Sequence, residues 1–396
     1  MSFACILSTW LALASPAAPP VRVVTIEGVS ADGTWSGINS AGAAVIIHDG
    51  QKKEFAPEEL MLLRWAELPA SRPAPASQPA AVYLSDGSLL QGAIVGGDAK
   101  HVVLKTTLVS QLQLPLDRLA GVRLMPRENA AAAEAFAKAL AVRDPTQDTL
   151  LVVRDDRVTA LKGVTESLAP DAGTFKWRDR SVPIRPDNVY GLVFAAGVQK
   201  PVPPQARALL KDGSTWAGRL AGGDADSVSL ELAGGVKVAL PVAELSEIRL
   251  RSDRVVFLSD LEPAEYRFEP FATTRWPYRR DRSVANRPLR IADQTFERGL
   301  GMHSQSTLSY DLPGEFSRLA AVIGIDAGAA PLGNVVFRVT ADGKEAFNSG
   351  PVTGRDAPRT INVPIAGAKR VQLIVEFGED LDIGDQADWG NARLIK

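Results

Sequence analysis

Two short runs concentrate the residue types that bind ligands or do chemistry. Arg298-Gly299-Leu300-Gly301-Met302-His303-Ser304 joins an arginine, two glycines and a histidine, and Asp385-Gln386-Ala387-Asp388-Trp389-Gly390-Asn391 sets two carboxylates around Ala387 with a tryptophan directly after. A histidine both donates and accepts hydrogen bonds and titrates near neutral pH. An exposed indole would stack on the apolar face of a sugar ring. Glu379, Asp380, Asp382, Asp385 and Asp388 form an acidic cluster of the hard-oxygen character that Ca2+ requires. Asp382 and Asp385 are its candidate Ca2+ ligands, although Ile383 interrupts the spacing of an EF-hand loop. Each feature also has a plain reading. His303 fits a loop histidine satisfied by a backbone carbonyl, Trp389 a core tryptophan closing a sheet edge, and the acidic cluster a solvated loop. The Arg279, Arg280 and Arg282 run could dock an acidic glycan or phosphate, or simply pair with Asp281 at the surface.

These runs lie among strand-like segments. Residues 307–312 alternate apolar and polar types, and residues 255–258, 319–325, 335–340, 361–365 and 371–377 form further short strands, with Ala341-Asp342-Gly343 as a turn. Many short strands separated by turn signals predict a β-sandwich. At this point the chain resembles the NPCBM family of carbohydrate-binding modules. The residues that carry the resemblance are 298–303, Ser309-Tyr310-Asp311-Leu312, Ala366-Gly367-Ala368-Lys369 and 385–393. It spans roughly residues 255–396 and is silent about residues 1–250. The resemblance implies a galactose-binding-like jelly-roll sandwich from a secreted protein, of a kind often appended to glycoside hydrolases. It also implies a glycan site, of galactose type as the first guess, between the His303 and Trp389 loops. The implied contacts are Arg298, His303, Asp388, Trp389 and Asn391, with Arg298 and Asn391 donating to hydroxyls.

The first part of the chain is a repeat. Residues 84–124 align with residues 210–250 at an ungapped offset of 126, and sixteen of the forty-one positions are identical. Two weaker copies begin near Trp35-Ser36-Gly37 and Val153-Arg154-Asp155. The shared plan is five short strands, an Asp-Gly hairpin turn, a second glycine marking a bulge or bend, and a Leu-Pro or Val-Pro late in the unit. It resembles a small SH3- or Sm-like barrel. Such small units bury little surface alone, so the copies are expected to pack on one another. The expected order is a leader at 1–20, copies at 21–66, 81–125, 148–195 and 207–251, and the sandwich at 253–396. Between them lie a Pro/Ala linker at 67–80, a helical insertion at 126–147 containing Phe136 and Leu140, and a Pro-rich linker at 196–206.

Composition bounds the function. The 396 residues are 45% hydrophobic and 23% charged, with 33 glycines, 27 prolines and a formal charge of −2, which suits an all-β globular protein. A sequence pI near 6.1 shows no nucleic-acid footprint. Residues 1–13 read as a short signal-like apolar run followed by small residues, too short to span a bilayer. No Lys or Arg precedes that run, which a start site upstream of Met1 would explain. The one cysteine, Cys5, lies within it, so a processed chain would have no disulfide. No P-loop, His-Glu-x-x-His or Gly-x-Ser-x-Gly motif is present. The expectation is a secreted or periplasmic, non-catalytic glycan-binding protein without a cofactor other than the candidate Ca2+. One alternative is an envelope scaffold contacting proteins through its repeats. Another is a glycan-active enzyme whose catalytic residues are not legible.

Overall fold

The computed structural model describes residues 19–65, 80–125, 129–154, 157–170, 173–197, 203–233, 235–271, 274–379 and 381–396. Most of the leader, with Cys5, most of the first linker, part of the second and Asp380 lie outside the described residues. The chain divides into two compact units. The first comprises residues 1–22, 32–56 and 63–249, and the second 23–31, 57–62 and 250–396.

The first unit is built from short antiparallel strands. Ala80–Leu84, Leu89–Gly97, His101–Lys105, Leu112–Pro115 and Leu119–Arg123 have counterparts in Ala206–Leu210, Thr215–Gly223, Ser227–Glu231, Lys237–Pro241 and Leu245–Leu250. The second glycine of the plan, Gly92 and Gly218, pairs in regular register with Ala80 and Ala206. The ladder slips further on, between Ile94 and Gly96 and at the matching place between Leu220 and Gly222, so the bulge falls at the later glycine. Gly87 and Gly213 sit in the first turn at φ 91° and 82°, a conformation in which a side chain would clash with the following carbonyl. The two copies exchange matched hydrogen bonds. Gln91 N donates to Ser214 Oγ at 3.1 Å, and Ala217 N donates to Ser88 Oγ at 3.0 Å. Residues separated by the same offset thus face each other across a local pseudo-twofold, where Thr215 pairs with Leu89.

Asp148–Arg154 opens a third five-stranded set that ends at Val189–Val193, and the last strand pairs with Leu119–Arg123. The helix Ala130–Ala141 packs Ala132 and Phe136 onto Leu151, Tyr190 and Val193. Asn129 caps its start, with Oδ1 accepting from Ala132 N at 2.9 Å. Among the described residues no helix is long and apolar enough to cross a membrane.

The second unit is a β-sandwich. One sheet runs Arg279–Arg280, Gly299–His303, Gln386–Ile395, Arg318–Ile325, Arg359–Pro364, with Val255–Phe257 joined to the outer part of Gln386–Ile395. The other runs Glu265–Phe268, Ser306–Asp311, Arg370–Phe377, Asn334–Ala341, Lys344–Thr353. In Arg370–Phe377 the residues Val371, Leu373 and Val375 are buried while their neighbours are only partly so, the period-two pattern of a strand with one face on a core. That core includes Leu300, Met302, Leu308, Phe337, Val339 and Trp389.

The strand Gln386–Ile395 is covered on both faces. Its outer face lies under the small hairpin Leu289–Ile291 and Gln294–Phe296 and under Ile26, which packs with Ala320 and Ile395. A segment that the sequence assigns to the first repeat, residues 23–31, therefore contributes to this second unit.

Candidate functional site

The two motifs are adjacent central strands. Gly299 pairs with Gly390, Leu300 with Trp389, Gly301 with Asp388 and His303 with Gln386. There is no space for a side chain at either motif glycine: a Cβ on Gly299 would lie 2.3 Å from the Trp389 carbonyl, and one on Gly301 would lie 2.5 Å from that of Arg282. The glycines are there for close backbone approach.

This pairing separates the expected site residues. His303 ends its strand, whereas Arg298 precedes the other end, about 16 Å away at the ordinary rise of an extended chain. Asn391 lies beside Arg298, to whose carbonyl its N–H donates at 2.8 Å. Arg298 is engaged, donating to Asp281 at 2.8 Å, pairing with Asp260 and lying over the Phe257 ring.

Trp389 is 0% exposed and meets Phe337 edge to face at 5.0 Å, so its indole is core and offers no face to a sugar. Asp388 is also fully buried, on the opposite face of the same strand. Its Oδ2 accepts from Arg290 N at 3.2 Å, and Oδ1 has no partner of hydrogen-bonding geometry among the described residues. Burial, and then the charge of neighbouring Asp326, push the Asp388 carboxyl well above the usual carboxylate range. Asp326 is held by Arg287 at 2.9 Å. The implied groove of Arg298, His303, Asp388, Trp389 and Asn391 is thus not formed, because consecutive residues of a strand point to opposite faces and both faces of this one are covered.

What the structure assembles instead surrounds His303. This residue is 3% exposed, and its Nδ1 lies 2.8 Å from the Ser304 carbonyl, so Nδ1–H donates and Nε2 is left as the acceptor whenever the ring is neutral. Burial holds its pKa below the usual histidine value, opposed by the Ser304 carbonyl and the charge of Asp382. Trp276 stacks on the imidazole at 5.1 Å and 6°, and Phe268 meets it at 6.4 Å and 73°. Tyr266 fixes that loop, its hydroxyl donating to the Trp276 carbonyl at 2.6 Å and its ring lying 5.0 Å from Tyr278. Burial pushes the Tyr266 phenol up to about 12. Trp276 itself is only half-buried. Its stretch, up to Arg282, is basic and aromatic, and no motif or period sets Trp276 apart in it. Within that stretch Arg280 pairs with Glu262, and Arg279 donates to the Val284 carbonyl at 3.0 Å.

Asp385 organises the loops around this pair. Fully buried, it accepts from Ser304 Oγ and from Asn334 N at 2.9 Å, which ties three loops together. Both its oxygens are therefore committed to protein donors. No group of three or more His, Cys, Asp or Glu that could hold a metal ion occurs among the described residues, which include Asp382 and Asp385 but not Asp380.

Residues 254–395 match the NPCBM/NEW2 domain family, in agreement with the resemblance read from the motifs. A candidate endo-alpha-N-acetylgalactosaminidase of Renibacterium salmoninarum is 36% identical over 108 residues, 27% of this chain and 7% of that protein. Alpha-1,3-galactosidase B of Akkermansia muciniphila is 31% identical over 115 residues, 28% of this chain and 14% of that protein. The chain thus spans a small part of the length of both relatives. The CBM51 module of Clostridium perfringens GH95, solved with methyl-galactose, is 26% identical and covers 35% of this chain and 99% of its own, at a TM-score of 0.32.

Proposed function

We propose that the sandwich unit binds a neutral glycan, of galactose type, at the loop end built around His303 and Trp276. The observation that carries this reading is the parallel stack of a half-exposed indole on a buried, neutral imidazole. The pair offers an apolar ring face beside a fixed hydrogen-bond acceptor, and a pyranose needs both, an apolar face to stack and hydroxyls to be read. The match to a carbohydrate-binding domain family and the sugars named for the two relatives support it. A single shallow site of this kind gives a dissociation constant between micromolar and millimolar, about −4 to −8 kcal/mol. The module is non-catalytic and works in an exported or envelope-associated chain, with the repeat unit as its carrier.

Glycan-array screening followed by calorimetry tests this reading. His303→Ala should weaken binding at least about tenfold with the fold intact, a change of about 1.4 kcal/mol. Wild-type affinity in that variant would place the site elsewhere. If the intact chain binds no glycan at all, a protein-contacting envelope scaffold replaces this reading.

A further inference from the structure

We propose, on the basis of the glycan reading above, that the ligand carries an uncharged apolar group next to the sugar, as an alkyl or acyl aglycone would. Exposed large apolar side chains scattered singly are ordinary for a protein surface. The end of the sandwich that holds His303 is different. Phe271, Leu332, Leu381 and Ile383 are 55%, 56%, 49% and 57% exposed, and they sit on three loops drawn to one place.

The connections are specific. Glu269 N donates to the Gln305 carbonyl at 3.0 Å, bringing the Phe271 loop against the residues just after His303. Phe271 meets Phe377 edge to face at 6.2 Å, and Gly378 N donates to the Asn334 carbonyl at 2.7 Å. Asp385 binds the Ser304 and Asn334 loops together. Leu332 and Gly384 are in direct contact, since a Cβ on Gly384 would lie 2.7 Å from that of Leu332. The loops that carry these apolar side chains are therefore tied to one another and to the residues next to His303, and the side chains line a rim at that end.

A rim of this kind is the mark of an interaction surface, and its charges narrow the occupant. Glu379 and Asp382 stand on the same loop as Leu381 and Ile383 and repel an anionic lipid surface. A neutral apolar substituent extending from the bound sugar meets no such penalty. Because the rim residues sit on separate short loops, they cradle a small group.

The test uses the full chain with methyl and hexyl β-galactoside, titrated by calorimetry below the micelle concentration of the hexyl compound. Partial burial of the alkyl chain should make the hexyl glycoside bind about tenfold tighter, equivalent to about 1.4 kcal/mol. The pair Leu332→Ser and Ile383→Ser should erase that preference while leaving methyl glycoside binding unchanged, and Phe271→Ser should reduce it independently. Equal binding of the two glycosides to the wild type would overturn the proposal and leave the glycan reading standing, as would a preference that survives the rim substitutions. If neither galactoside binds, both readings fall. Binding to phosphatidylglycerol vesicles that is lost in the rim variants would assign the rim to a membrane and overturn the aglycone reading.

Discussion

Two tryptophans should respond in opposite ways to the same substitution. Trp389 is fully buried against Phe337, in a strand paired on one side with Leu300 and on the other with Ile323. Trp389→Ala removes a large core side chain that its neighbours can refill only in part, at a cost of about 3–5 kcal/mol. For a unit of this size that corresponds to a fall in melting temperature of about 6–20 °C. Trp276 is half-buried and stacks on His303, so Trp276→Ala removes one aromatic contact, about 0.5–1.5 kcal/mol. The corresponding fall is about 1–6 °C. Differential scanning calorimetry reads both shifts, and isothermal titration with a galactoside reads whether each variant still binds. Trp276→Ala should lose sugar binding with the sandwich folded, and Trp389→Phe should keep binding with a modest loss of stability. The reasoning fails if Trp276→Ala unfolds the sandwich as readily as Trp389→Ala does, or if it binds sugar like the wild type.

Two further outcomes follow from buried groups. Asp388 keeps its proton in the folded state above the ordinary carboxylate range. The native state therefore binds more protons than the unfolded chain, and stability falls as pH rises from about 4 through the folded-state value, at up to about 1.4 kcal/mol per pH unit. His303 runs the other way: its lowered pKa means that the stability it contributes is lost as pH falls below about 6.5. Urea titrations across this range should show a flatter alkaline limb for Asp388→Asn, and an unchanged limb would mean that Asp388 is not the group responsible. Ile26 is 2% exposed and packs on Ala320 and Ile395, while its carbonyl accepts from the buried Arg393 at 2.7 Å. Ile26→Ala in the full chain should destabilise the sandwich by about 2–5 kcal/mol, seen as a shift of its calorimetric transition. No shift would remove Ile26 from that unit's core.

Much of the architecture was written locally in the chain. The offset of 126 and the Asp-Gly pairs were enough to place equivalent turns, because a positive φ is a property of one residue and its neighbours, and Gly87 and Gly213 adopt it. Residues 307–312 and 371–377 alternated because each strand has one face on the sandwich core. His303 satisfying a backbone carbonyl was likewise readable, since the partner is the next residue. The two motifs of the resemblance lie on neighbouring strands.

Only the tertiary structure decided which side chains face a ligand. Gln386–Ile395 is buried on both faces, so neither its periodicity nor the character of Asp388 and Trp389 could reveal their exposure. Antiparallel pairing carried Arg298 and Asn391 to the opposite end from His303, a separation set by strand register. Trp276 sits in an irregular loop without period or motif, and it became the stacking residue because Tyr266 and Phe268, on an edge strand, hold that loop over the imidazole. Asp385 looked like a metal ligand in sequence. Its role as the anchor of three loops depended on Ser304 and Asn334, donors that lie 81 and 51 residues away and that the folded chain alone brings to it.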